Sequence, residues 1–150
     1  MSLLVDDLTR LNRALSEVRV RYAQNSEATA IGQMVHSSHE AVPVTSWANV
    51  YPYWLVVERE PGDAIGCMQL CFSRPIARME FLSFIPNLPF RTRALAVKAL
   101  LNFGVLALKR DGASAIAGCL GHDQKGFKDI LKSEGCTVLM SANVMTRSAA

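Results

Sequence analysis

The sequence predicts one α/β (α+β) domain built around a single sheet. Its 150 residues have the size of one ordinary domain. Half of them are apolar and only 19% are charged, which supplies a core and argues against disorder. Strand-like runs alternate with helix-like ones, and Pro, Gly or Asp marks most of the junctions. No internal repeat, low-complexity segment or linker divides the chain.

The elements follow in order. Residues 1–16 read as a helical extension ahead of a domain at 17–150. Leu8, Leu11 and Leu15 recur at helical spacing, and Asp6 and Asp7 favour a helix N-terminus. The same spacing reaches Val18 and Tyr22, so one longer helix is the alternative. A switch near Glu17 is preferred, because Val18 to Tyr22 alternates apolar and basic as a half-buried strand does. Asn25 and Ser26 offer a cap for a helix over Glu27 to His39, with Ala30, Ile31, Met34 and Val35 on one face. A loop containing Trp47 and Tyr51 lies between Pro43 and Pro52. Tyr53–Glu60 and Ala64–Ser73 form a hairpin about Pro61-Gly62-Asp63. Ala77–Ile85 is a further strand, Thr92–Arg110 a long helix ended by Asp111-Gly112, and Ser114–Leu120 a short strand. A helix over Lys125–Glu134 and a strand pair, Cys136–Met140 and Asn143–Thr146, complete the expected chain.

Charge is unevenly distributed. From Arg74 to Arg110 there are seven basic residues and one acid, Glu80, a local +6 within a chain of net +3. Such a field suits a polyanionic small molecule, or a nucleic-acid backbone. The nucleic-acid reading is disfavoured, because Lys98 lies within an apolar helix and no stacking aromatics are interleaved. Met1-Ser-Leu-Leu-Val and two aspartates lack the basic start of a signal peptide. The longest apolar run, 94–108, holds Lys98 and Asn102 and is too short to span a bilayer. A cytoplasmic protein is expected, with Cys67, Cys71, Cys119 and Cys136 as reduced thiols and no zinc spacing among them.

The run Glu80-Phe-Leu-Ser-Phe-Ile-Pro-Asn-Leu-Pro-Phe-Arg91-Thr-Arg-Ala94-Leu-Ala96 is the specific part of the sequence. It resembles the central strand, loop and pyrophosphate motif of the GNAT superfamily, the acyl-CoA-dependent N-acyltransferases. Looser similarity runs from Val18 to Met140, and small GNAT-like proteins of tailed phages resemble the His36–Pro43 stretch. The resemblance implies a mixed central sheet of about six to seven strands with helices on both faces. It implies acetyl-CoA as cosubstrate, an amine on a small molecule or a protein as acceptor, and coenzyme A held by Arg91, Thr92, Arg93, Ala94, Leu95 and Ala96. The physical reason is plain: a helix N-terminus offers unpaired amides and a positive dipole end to phosphate, and guanidinium groups add charge. The acyl-pantetheine is expected beside Phe81–Ile85, where that strand parts from Ser114–Leu120. There the amides near Phe84 and Ile85 are expected to polarise the thioester carbonyl.

Glu80 is the expected general base, 11 residues before Arg91, the spacing seen in the histone-acetyltransferase branch. Its alternative is a strand-end carboxylate paired with Arg74 or Arg78. Two departures from the family stand out. Ala94 occupies a position that is nearly always Gly, and Leu131 occupies the place of the usual Tyr general acid, with Cys136 where an aromatic is common. Two readings therefore remain: an N-acetyltransferase, or a GNAT-fold binding or structural component that no longer catalyses, for example in a phage virion. No metal site is expected. His36 and His39, three apart, read as a helix end, and His122 as a loop histidine. Tyr51, Tyr53 and Trp47 are candidates for an acceptor pocket, whereas Trp54 reads as core. The apolar stripe of the N-terminal extension can be buried by the chain's own domain, by a second copy or by another protein, and its seam-like spacing favours association, as in a homo-oligomer.

Overall fold

The computed structural model describes residues 17–43 and 49–118, together with 129, 132 and 133. In chain order these form β1 (Arg19–Tyr22), a 3-10 turn (Asn25–Glu27), α1 (Ala28–Ser38), β2 (Trp54–Glu58), β3 (Ala64–Cys71), β4 (Ile76–Phe84), α2 (Phe90–Arg110) and β5 (Ala115–Gly118). The five strands make one sheet in sequence order. β1 to β4 run antiparallel. β5 joins β4 in parallel, from Ile76 opposite Ala115 to Met79 opposite Gly118. A parallel neighbour needs a long crossover, and α2 supplies it.

The sheet is covered on both faces. Leu55, Val57, Met68, Leu70 and Ala77 pack with Val97, Leu100 and Leu108 of α2. Trp54, Val56 and Cys67 pack with Ile31, Met34 and Val35 of α1. Alternate residues of β2 therefore serve opposite cores, so Trp54 to Val57 is apolar without interruption. The α+β class with a mixed sheet and helices on both faces is as expected. Five strands lie among the described residues; the two expected after Gly135 fall outside them.

Several boundaries differ from the sequence reading, each for a local reason. α2 begins at Phe90, not Thr92, because Pro89 already takes the capping position at φ −55°, ψ 143°. Proline's fixed φ and missing N–H suit a helix start. The start of the first helical segment is not held by Asn25 or Ser26. Glu27 reaches back to the Gln24 amide at 2.8 Å, while Asn25 Oδ1 accepts the Tyr51 amide at 3.1 Å. β4 starts at Ile76, which places Glu80 in mid-strand and not at its beginning. The extension at 1–16, Trp47, Cys119, His122, Leu131, Cys136 and the last strand pair lie outside the described residues. Of the expected Lys125–Glu134 helix, residues 129, 132 and 133 are described, and they are helical. No described helix is long and apolar enough to cross a membrane.

Candidate functional site

The central strand carries an irregularity where the sequence places its specific motif. Cys67 faces Ser83 and Gln69 faces Glu80, so two residues of β4, Phe81 and Leu82, stand opposite Met68 alone. This is a β-bulge, which bends a strand and re-aims a side chain. Phe81 has φ 52°, a left-handed conformation that costs a bulky residue of order 1–3 kcal/mol. Packing holds it there. Its ring stacks on Trp54 at 6.4 Å and meets the His39 ring edge-on at 5.9 Å. Glu80 and Phe81 consequently both face the α1 side, while Leu82 returns to the α2 core.

Beyond the bulge, the end of α1 meets β4. The Phe84 amide donates to Ser38 Oγ at 2.9 Å, and that hydroxyl lies 3.3 Å from the Phe84 carbonyl. His39 Nε2 lies 3.2 Å from the Leu82 carbonyl. The Ile85 amide points to the other edge and bonds the Ile65 carbonyl of β3 at 3.0 Å. Gly66 allows the Phe84 ring to cross β3, since a Cβ at that position would stand 2.6 Å from the ring.

Five residues after Ile85, α2 begins without a side-chain cap. Its first intrahelical bond runs from the Arg93 amide to the Pro89 carbonyl at 2.9 Å. The amides of Phe90, Arg91 and Thr92 therefore have no partner inside the helix, and those from Arg93 onward do. Arg93 lies over Phe84, its guanidinium carbon 5.9 Å from the ring centroid, and its Nε is buried with no hydrogen-bond partner among the described residues. Arg91 is 83% exposed and reaches Glu17 at 3.3 Å. Thr92, Ala94 and Leu95 are half-buried, and Ala96 is buried in the α2 core. The basic stretch is partly neutralised within the chain, since Arg74 pairs with Asp111 and Arg78 with Glu80.

Glu80 is a quarter exposed, 3.4 Å from Arg78 Nε. The Cys71 thiol lies 3.7 Å from its other oxygen. Burial, then the neighbouring Glu80 charge, pushes the Cys71 thiol above its ordinary range. Both it and buried Cys67, raised by desolvation alone, are thiols at neutral pH. The Arg78 partner foreseen for a structural role is thus present, and so is the exposure that a proton acceptor needs.

The most elaborate charge cluster was not anticipated. Glu58, 1% exposed, accepts from Arg19 and from Arg21 at 3.2 Å, and takes the Gly62 amide at 3.3 Å. Arg21 also pairs with Glu27 at 2.7 Å. Burial alone would raise the Glu58 carboxyl, but hydrogen bonds from Arg19, Gly62 and Arg21 hold it below the usual range. A glutamate ending an apolar strand opposite two alternating arginines was the available signal.

No protein-family model matches the sequence, and no curated protein matches it either. Solved structures do. A transcriptional regulator from Bacillus halodurans C-125 is similar with a TM-score of 0.67 at 10% identity, over 87% of this chain and 99% of its own. An acetyltransferase from Trypanosoma brucei matches at 0.62 and 14% identity, over 87% and 99%. The yncA protein of Salmonella typhimurium, solved with its cofactor acetyl-CoA, matches at 0.64 and 14% identity, over 83% and 82%. The chain has the GNAT fold.

Within the GNAT fold, β4 and the start of α2 lie together, joined by the short loop 85–89, and the bulge in β4 is a feature that the sequence reading did not contain. His36 and His39 do not converge. His36 Nδ1 lies 2.7 Å from the Val42 carbonyl, and His39 turns to Leu82. Among the described residues no group of three His, Cys, Asp or Glu is placed to hold a metal ion. Trp54 is core, whereas Tyr51 and Tyr53 are 57% and 45% exposed. Tyr51 rests edge-on against Tyr22, and Tyr53 against Phe72.

Proposed function

We infer that this chain is an N-acetyltransferase that takes acetyl-CoA and an amine-bearing small molecule or protein. The observation that carries the reading is the uncapped start of α2 with Arg93 beside it. Three amides outside the helix ladder, a dipole end and a guanidinium whose buried Nε has no partner among the described residues form a fitting seat for pyrophosphate. Arg91 and Thr92 extend that seat. Ala94, Leu95 and Ala96 sit inside the helix with their amides committed to the ladder, so the alanines contribute small size and Leu95 packing. The acetyl-CoA bound to the Salmonella protein supports the same ligand here.

The chemistry follows from the seat. A neutral amine attacks the thioester carbonyl carbon, the carbon–sulfur bond breaks, and coenzyme A leaves as a thiolate that takes a proton from solvent. The Phe84 amide turns away from β3 and meets the Ser38 hydroxyl; once that contact is given up it is the donor for the developing oxyanion, because the Ile85 amide is committed to β3. Glu80, mid-strand on the α1 side, takes the amine's proton directly or through water. Titration of acetyl-CoA into the protein at low salt is expected to give a saturable calorimetric isotherm. No affinity at millimolar ligand would remove both the cosubstrate and the reaction.

One set of observations favours a second reading, a GNAT-fold binding or structural component, in the cytoplasm or in a virion. The Ile85 amide belongs to the sheet, the motif amides from Arg93 onward belong to the helix, and Leu131 stands where a Tyr general acid is usual. Affinity for coenzyme A without turnover on any amine would select it. In either case the leucine stripe at 8, 11 and 15 is proposed to join two copies. Light scattering should show a dimer or larger assembly that becomes monomeric when residues 1–15 are deleted.

A further inference from the structure

Ser38 and His39 sit at the end of α1, yet their side chains engage backbone groups more than forty residues away on β4. The edge they meet can be identified. The Ile85 amide bonds β3, and strand alternation turns the polar groups of Phe84 and Leu82 to the opposite edge. Farther back that edge pairs with β5, from Ile76 to Met79. Past the bulge it is met by one hydroxyl and one imidazole. The Ser38 hydroxyl accepts from the Phe84 amide and donates to its carbonyl, so a single group answers both. His39 faces a carbonyl, which only accepts, so Nε2 carries the proton.

A donor for the Leu82 carbonyl, a donor for the Phe84 carbonyl and an acceptor for the Phe84 amide are together the set of groups that an extended amide chain lying along the strand would present. The pantetheine arm of an acyl-CoA has that complement, with amide N–H groups and carbonyls along its length. We propose that Ser38 and His39 form an intramolecular latch that stands in for the pantetheine arm and must leave before acyl-CoA is seated. The inference rests on the acyl-CoA reading above and adds a regulation of that site. Both residues lie where α1 runs out. Ser38 is its last residue, and His39 has left helical geometry at φ −136°, ψ 78° while its amide still bonds Val35 at 2.8 Å. Loosening one terminal turn therefore opens the edge and leaves the buried Ile31, Met34 and Val35 in place.

The thermodynamic consequence has a sign that a plain structural brace would not give. A latch populates a binding-incompetent state, and apparent affinity falls by the fraction that remains competent. Removing a latch contact destabilises only the closed state, so ligand binds more tightly. Ser38→Ala and His39→Ala break the latch from separate residues. Each is expected to lower the acetyl-CoA dissociation constant about three- to tenfold, the scale of one net hydrogen bond. The gain should appear as a faster association rate in stopped flow, with dissociation unchanged because the bound states are alike. The double variant should bind at least as tightly as either single one. Circular dichroism and melting identify a variant that fails to fold, leaving the other to decide. Equal or weaker binding by both folded variants, in a protein whose unmodified form binds acetyl-CoA, overturns the latch and leaves the acyl-CoA reading standing. Absence of binding in all four proteins overturns the acyl-CoA reading and the latch with it. Binding that appears only in the variants supports both.

Discussion

The two ends of the sheet treat polar groups in opposite ways. Where β1 meets β2, Glu58 is buried, yet both carboxylate oxygens are taken by arginines and a backbone amide, and Arg21 is shared with Glu27. Where β4 runs towards α2, a phenylalanine sits at positive φ, a helix begins without a side-chain cap, and a buried arginine nitrogen has no partner among the described residues. The first end is saturated by the chain itself. The second holds donors arranged for something else. Residues that satisfy one another stabilise a fold, whereas residues that converge unsatisfied are available to a ligand.

The contrast predicts separable losses. Removing Glu58 should act on stability alone, and this is the largest effect expected. Glu58→Ala leaves two guanidinium groups without their shared anion and should cost about 3 kcal/mol in denaturant unfolding. That figure is at the low end for broken buried pairs because Arg19 is 65% exposed. The pH dependence follows from the same geometry. The folded-state pKa of Glu58 is lowered, so its contribution is full above the unfolded value near 4.3 and is lost as pH falls through the folded value. Glu27, lowered mainly by its hydrogen bond from Arg21, adds in the same direction. The unmodified protein should therefore lose stability below about pH 4.3 more steeply than Glu58→Ala does. Parallel acid limbs would show that the buried carboxylate is not linked to folding.

Glu80→Gln should act on chemistry alone. It preserves shape and can still accept from Arg78, but it cannot take a proton. Turnover should fall about a hundredfold, with acetyl-CoA affinity unchanged within about twofold and the loss largest near neutral pH. Undiminished turnover across the pH range would return Glu80 to the structural pair with Arg78 and leave water as the base.

Next in size is Arg93→Ala, which should weaken acetyl-CoA about tenfold and flatten the salt dependence of binding. One charge-assisted phosphate contact is of that order. Melting should change little, since the Nε makes no hydrogen bond among the described residues. A large loss of stability with unchanged affinity would mean that Arg93 serves the Phe84 ring and not a ligand.

These comparisons also separate what the sequence makes legible from what it hides. The element order, the hairpin about Pro61-Gly62-Asp63 and the long helix to Arg110 follow from periodicity and turn chemistry, which are local properties. The motif from Glu80 to Ala96 could be read because strand, loop and helix start are contiguous. The Phe81 bulge could not, because it depends on one strand having an extra residue opposite Met68, a relation between strands. The same holds for Ser38 and His39 on β4, and for Glu58 beneath Arg19 and Arg21. The last two are contacts between residues about forty positions apart, which no window along the chain contains.

The smallest effect expected separates the two arginines of the motif. Arg91 and Arg93 are equivalent in sequence, each one basic residue beside a small-residue helix start, but they differ in setting. Arg91 is 83% exposed and its partner Glu17 is 57% exposed. Such a pair contributes about 0–1 kcal/mol and is screened by salt. Arg91→Ala should therefore leave melting unchanged and weaken acetyl-CoA only about twofold at low salt, with the difference gone at physiological ionic strength. Glu17→Ala supplies the converse, because it removes a carboxylate that competes with phosphate for the same guanidinium. It should tighten acetyl-CoA slightly in the unmodified background and do nothing once Arg91 is absent. A loss for Arg91→Ala as large as that for Arg93→Ala would mean that the exposed side chain folds onto the ligand, and that burial before binding is a poor guide to which arginine holds the phosphate.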